Sequence, residues 1–169
     1  MTDKNYLVQD GHPAILLLRI AAIVSAFTTL VVFAWAIKAH DRVYTDIDGA
    51  SLCAMILATA SYAVIWSLVP LTVRLLVRRT LHLGVYIAFD FIAYGAVFAT
   101  TVVTMILLIP NAESGYAYRK SAHIDTALPK VEFLGFATAL LTSVLHFVLF
   151  VWACWACDRR RKQPNKTSI

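Results

Sequence analysis

Four long apolar runs divide the sequence, at about residues 14–37, 51–73, 83–109 and 131–157. A transmembrane helix needs about 20 consecutive, mainly apolar residues, so each run is long enough to cross a bilayer. Hydrophobic residues make up 60% of the chain, against about 45–50% in a soluble domain. Lipid offers no partners to backbone amides and carbonyls, so the spans should be helical. We therefore predict an all-α membrane protein, an antiparallel four-helix transmembrane bundle.

The remaining segments are short and leave no room for a separate catalytic domain. Residues 1–12 are predicted to form an N-terminal tail, residues 13–157 the four-span domain, and residues 158–169 a basic C-terminal tail. A cleaved signal peptide is the alternative for the first run, because Ala34–Ala36 resembles a cleavage site. That run exceeds the 7–15 residues of a signal h-region, and the tail before it is not basic. A retained span is therefore the favoured interpretation.

Two prolines should mark the ends of spans, because proline removes a helix hydrogen bond and clashes with the preceding turn. Pro70 lies near the end of the second run, where it should kink or terminate the helix. Pro110 directly follows the third run and should close it. The longest loop is then expected at residues 111–130.

Basic residues are distributed unequally between the two sides of the predicted bundle. Nine Lys and Arg residues fall on the side of both termini and of residues 74–82, and five fall on the other side. Because cytosolic loops are enriched in basic residues, both termini should be cytosolic. The net charge of +5 is explained in this way, so no nucleic-acid partner is expected. The sequon at Asn165 would then face the cytosol and stay unglycosylated.

Small residues recur four positions apart in every span. Such stripes let helix backbones approach closely in lipid, where no hydrophobic force drives helices together. Their presence in all four spans favours a compact bundle. The stripes include Ala22 and Ala26, Ala63 and Ser67, Gly95 and Ala99, and Gly135 and Ala139.

Two ionisable residues lie inside the apolar runs, Arg19 in the first and Asp90 in the third. A charge at a helix centre costs roughly 2.5–3.5 kcal/mol on insertion scales. Arg19 lies roughly 7–8 Å and Asp90 roughly 10 Å from the cytosolic end of its span. This similar depth predicts a structural ion pair if the two helices are adjacent. Two alternatives are open: Arg19 snorkels while Asp90 pairs with water or Tyr86, or the residues form a transport or proton site.

Further polar residues should line the bundle interior. Tyr94 and Thr101 share a helix face with Asp90, and His146 shares a face with small residues of the fourth span. A proton-relay or metal role for His146 is the alternative, but no second ligand lies at ligand spacing beside it. A neutral histidine that forms a hydrogen bond across the bundle is favoured. No metal or cofactor is predicted.

The end of the fourth span carries two cysteines, Cys154 and Cys157, followed by a basic cluster. Juxtamembrane cysteines beside a basic tail are candidates for palmitoylation; a redox pair and inert thiols are the alternatives. The cluster could bind anionic lipid at about 1 kcal/mol per charge, although a topology signal explains it equally well. It consists of Arg159, Arg160, Arg161 and Lys162.

The sequence resembles the MARVEL-domain superfamily, which includes the Casparian-strip-like membrane proteins. The resemblance rests on four spans, an arginine in the first (LLLRIAA) and an aspartate followed by a tyrosine in the third (FDFIAYGAVFAT). Arg19, Asp90 and Tyr94 occupy these positions. Outer loops without cysteines are most similar to the small fungal members, and differ from claudins and tetraspanins.

The resemblance implies a non-enzymatic protein that organises membranes by apposition, microdomain assembly or cargo sorting. No nucleophile–base set, phosphate loop or pair of catalytic carboxylates can be assembled from the sequence, which also favours a protein that is not an enzyme. The expected partners are the lipid bilayer and other membrane proteins or further copies of the chain. The expected location is the plasma membrane or the secretory route. The alternative function is a small transporter or channel subunit that uses Asp90, Arg19 and His146.

Overall fold

The computed structural model describes residues 13–40, 49–73, 76, 81–121 and 127–162. It describes the side chains of all of these except 109–121, 127 and 160. The predicted N-terminal tail, the sequon at Asn165 and most of the connection between the first two predicted spans (residues 38–50) lie outside the described residues.

Four helices make up the described structure: α1 (Pro13–His40), α2 (Gly49–Thr72), α3 (Leu83–Ser121) and α4 (Ala127–Lys162). Each contains a stretch that is long and apolar enough to cross a membrane. Within the described residues, the prediction of an all-helical fold with four candidate membrane spans is confirmed. These spans support a multi-pass integral membrane protein.

Prolines have unequal effects on the helices. α1 begins at Pro13, where the missing N–H costs no hydrogen bond. Pro70 lies inside α2, which ends shortly afterwards at Thr72. The prediction that Pro110 closes the third helix is wrong, because α3 continues to Ser121. A proline removes one backbone donor, and the helix accommodates this loss when the following residues can still form their own hydrogen bonds.

The helices form a ring in chain order. α1 packs along α2 and α4, and α3 packs along the same two helices. α1 and α3 therefore lie opposite each other across the bundle. Since the chain reverses at each connection, the start of α1, the end of α2, the start of α3 and the end of α4 share one end of the bundle.

The bundle is apolar outside and partly polar inside, the reverse of a soluble protein. Large apolar side chains such as Leu17, Ile65, Ile106 and Phe133 are exposed on all four helices. Lipid can solvate such a surface, whereas water cannot. Small residues and hydroxyls fill much of the interior, among them Ala22, Ala26, Ser25, Thr29, Ala63, Ser67, Ala139, Thr142 and Ser143.

The small residues do not all serve helix contacts. A Cβ atom on Gly135 would lie 2.7 Å from Val32 and 2.8 Å from Phe33, so this glycine lets α4 approach α1 closely. A Cβ atom on Gly95 would meet nothing within 4 Å, and Ala99 is exposed. The Gly95–Ala99 stripe therefore does not face a neighbouring helix of the bundle.

Hydroxyl groups join α1 to α4 in the middle of the bundle. Ser25 Oγ donates to the Thr138 carbonyl at 2.8 Å, and Thr142 Oγ1 donates to Ser25 Oγ at 3.0 Å. Thr29 Oγ1 lies 3.0 Å from Thr138 Oγ1. These contacts fix the rotation of the two helices around their axes.

Candidate functional site around Asp90

Asp90 lies at the point where side chains from all four helices meet. Its side chain is fully buried, at 0% exposure. Arg19 Nη2 donates to Asp90 Oδ2 at 3.0 Å, and Arg19 Nη1 lies 3.5 Å from Oδ1. The structure thus brings together the two charges found inside the apolar runs, as an ion pair between α1 and α3.

This ion pair crosses the diagonal of the bundle and does not join adjacent helices. The two residues contact each other at similar depth although the helices that carry them are not adjacent. α1 and α3 run in the same direction, and each charge lies about two turns from its helix start. The long, forked side chain of arginine reaches across the interior where a shorter side chain would not.

α2 contributes Trp66 to the carboxylate. The indole Nε1 donates to Asp90 Oδ1 at 2.7 Å, a short hydrogen bond to a charged acceptor. The indole also stacks on Phe89, with ring centroids 4.6 Å apart, and meets the edge of Tyr86. The Trp66 side chain is thereby fixed by packing on one side and by a hydrogen bond at its tip.

α4 contributes His146, which is buried at 0% exposure. Its Nδ1 lies 3.1 Å from Asp90 Oδ1, and its Nε2 lies 3.4 Å from Ser67 Oγ. If Nδ1 carries the proton, the imidazole is neutral, donates to Asp90 and can accept from the serine. The favoured interpretation, a histidine with hydrogen bonds across the bundle, agrees with this geometry.

The Asp90 cluster (Arg19, Trp66, Asp90 and His146) is electrically balanced. One guanidinium faces one carboxylate, so with a neutral imidazole the cluster has no net charge. Arg19 also lies over the ring of Tyr86, 5.2 Å from its centroid, which favours the cation further. Arg19 Nε has no hydrogen-bond partner among the described residues.

Thr101 and Tyr94, the other predicted interior residues, lie outside the Asp90 cluster. Thr101 is buried and donates to the Val97 carbonyl of its own helix at 2.6 Å. Tyr94 is half-buried, and its ring packs against Phe98 and Phe147. Tyr94 lies four residues after Asp90 and therefore on a similar face of α3. Its ring forms part of an aromatic contact between α3 and α4.

The residues predicted to be palmitoylated or to bind anionic lipid lie at the end of α4. Cys154 and Cys157 are half-buried and form no disulfide. The Arg159 guanidinium lies 4.0 Å from the centroid of the Trp155 ring, and Lys162 Nζ forms an exposed ion pair with Asp158 at 2.6 Å. Arg161 is exposed, and the side chain of Arg160 lies outside the described part of the chain. Palmitoylation and anionic-lipid binding stay predictions.

Sequence reasoning missed Trp66 as a partner of Asp90. A tryptophan within an apolar run, away from the expected interfacial belt, was the available signal. Sequence reasoning also missed a second polar cluster at the opposite end of the bundle, formed by His40, Cys53 and Glu132. These three residues come from three different helices, so no spacing along the chain could reveal them.

No protein-family model, curated protein or solved structure matches the chain.

Proposed function

We propose that this protein is a non-enzymatic scaffold that organises membranes, through microdomain assembly, membrane apposition or cargo sorting. The observation that carries the proposal is the closed geometry around Asp90. Its carboxylate is fully buried and contacts side chains from the other three helices of the bundle. An acid held in this way fixes the positions of the helices relative to one another, because a shift of any one helix would break a contact to a buried charge.

The orientation and the location are part of the same proposal. Both termini face the cytosol, which agrees with the excess of basic residues on their side. The protein lies in the plasma membrane or the membranes of the secretory route. The resemblance to the MARVEL-domain superfamily, carried by Arg19, Asp90 and Tyr94, supports this role. The broad apolar exterior offers contact area to lipid, to other membrane proteins or to further copies of the chain.

Proximity labelling in the native cell tests the proposal. A promiscuous biotin ligase fused to the C-terminus should label a reproducible set of membrane proteins in one compartment. The control is the same ligase fused to an unrelated four-span protein of that membrane. Equal labelling by both fusions would count against a scaffold, because a scaffold needs preferred neighbours.

A transporter or channel subunit is the second candidate. The observation that favours it is the continuous polar contact from Ser67 through His146 and Asp90 to Arg19. Histidine is a common proton shuttle in proteins. Purified protein in liposomes that contain a pH-sensitive dye distinguishes the two functions. The scaffold proposal expects proton flux equal to that of empty liposomes. A proton flux above that of empty liposomes, abolished by Asp90→Asn, would show that the protein is a transporter and not a scaffold.

A further inference from the structure

The end of the bundle opposite Asp90 contains three side chains that can bind a metal ion. They are His40 at the end of α1, Cys53 near the start of α2, and Glu132 near the start of α4. One ligand atom from each lies within 4.8 Å of the other two. All three side chains are buried. Along α1, His40 lies roughly 30 Å from Arg19, so this cluster is distinct from the Asp90 cluster.

The imidazole of His40 is held at this position by the surrounding structure. Its Nε2 forms a hydrogen bond with Glu132 Oε1 at 2.5 Å. Its Nδ1 is buried and has no hydrogen-bond partner among the described residues. Gly49 provides the space for the ring, because a Cβ atom there would lie 2.5 Å from two of the imidazole atoms.

We propose that His40, Cys53 and Glu132 form a zinc site. Zinc accepts imidazole nitrogen, thiolate sulfur and carboxylate oxygen, and sites with three protein ligands complete a tetrahedron with water. Magnesium and calcium require oxygen ligands and do not use thiolate or imidazole in this way. The donor set thus selects a borderline-soft ion over the hard divalent cations.

The charge of the site suits a low-dielectric environment. A zinc ion with one thiolate, one carboxylate and one neutral imidazole has no net charge. Binding requires the Cys53 thiol to lose its proton, which is released to solvent as the Zn–S bond forms. The complex is then neutral, so its burial avoids the large cost of burying an unbalanced charge.

The geometry requires only small side-chain movements. Ligands bound at about 2.0–2.3 Å in a tetrahedron lie about 3.3–3.5 Å from one another. The atoms of His40 and Glu132 would separate by under about 1 Å, and zinc would replace their hydrogen bond. Ligand atoms up to 4.8 Å apart would approach by about 1.3 Å, a distance that side-chain rotation can cover. The site would join α1, α2 and α4 at the end of the bundle where the Asp90 cluster is absent.

Metal analysis of the full-length protein in detergent tests the proposal. The protein is treated with a chelator, equilibrated with micromolar zinc chloride, freed of unbound ion and analysed by mass spectrometry. We expect about one zinc ion per chain. Cys53→Ser should weaken zinc binding at least about 100-fold, since loss of an outer-shell partner alone costs 10–100-fold. The control variants Cys154→Ser and His82→Gln each remove a cysteine or a histidine outside the proposed site. Both should bind zinc as tightly as the wild type.

Cobalt provides a second measurement that does not depend on variant folding. Cobalt chloride added to the wild-type protein should produce the thiolate-to-cobalt absorption band, and zinc chloride should abolish it by competition. Zinc should also raise the Tm of the wild type in a concentration-dependent manner, whereas magnesium chloride should not. The proposal would be overturned if the wild-type protein bound no zinc and showed no thiolate-to-cobalt absorption band. Equal zinc binding by wild type and Cys53→Ser would overturn it too, leaving a hydrogen-bonded structural cluster only.

Discussion

Removal of both charges from the Arg19–Asp90 pair should destabilise the bundle by less than the sum of the two single removals. Asp90→Asn leaves the Arg19 guanidinium, which is 6% exposed, without its anion. Its remaining described contact is the Tyr86 ring at 5.2 Å, worth about 0.5–2 kcal/mol. Breaking a buried pair from one side costs about 3–5 kcal/mol, so we expect a loss of this size in the free energy of unfolding.

Arg19→Gln should cost less, because Asp90 keeps two other partners. Trp66 still donates to the carboxylate at 2.7 Å, and His146 Nδ1 still lies 3.1 Å from it. The loss is then about 1.5–3 kcal/mol, the value of a hydrogen bond to a charged group. The double variant leaves no stranded charge, and it should cost at least about 2 kcal/mol less than the sum of the two single losses.

Equilibrium unfolding in mixed detergent micelles measures these differences, with SDS as the denaturant and far-UV circular dichroism as the readout. Lys162→Gln removes one charge from an exposed ion pair and serves as the control, since exposed pairs contribute little. A double variant within about 0.5 kcal/mol of the summed single losses would show that the two charges do not interact. A greater loss for Arg19→Gln than for Asp90→Asn would refute the compensating role of Trp66 and His146.

Three further predictions follow from individual contacts. Trp66→Phe keeps the stacking on Phe89 but loses the hydrogen bond to Asp90, and it should lower the free energy of unfolding by about 1–2 kcal/mol in the same assay. Gly135→Ala should destabilise the protein by about 1–3 kcal/mol through overpacking, whereas Gly95→Ala should be neutral or stabilising by up to about 1 kcal/mol, since its new methyl group meets open space; equal effects would contradict the close approach of α4 to α1. Asn165 should carry no glycan in the native cell, so treatment with an endoglycosidase should not change the electrophoretic mobility, and a shift that Asn165→Gln removes would place the C-terminus outside the cytosol.

The sequence predicts the helices well because hydropathy and span length act locally. Any run of about 20 apolar residues in lipid must form its own backbone hydrogen bonds. The depth of Arg19 and Asp90 also follows from counting residues from the span ends. Pro110 shows the limit of such local rules, because proline weakens a helix at one position without always ending it.

Rotation of the helices about their axes was much harder to predict. Gly95 and Gly135 look equivalent in the sequence, but only Gly135 faces a neighbouring helix closely. Each residue turns the helix by about 100°, so a small error in the assumed orientation moves a side chain from the interior to the lipid face. The same uncertainty hid the contact of Trp66 with Asp90 and the diagonal arrangement of α1 and α3.

The Asp90 cluster explains how four apolar helices can select one arrangement. Lipid solvates apolar faces about as well as a neighbouring helix does, so apolar contacts alone discriminate weakly between registers. A slip of α3 by one residue would move Asp90 by about 1.5 Å along the helix and about 100° around it. That slip would separate the carboxylate from Arg19, Trp66 and His146 together, at the cost of a buried charge without partners. The polar contacts therefore specify register and rotation, while the small residues permit the close packing within that register.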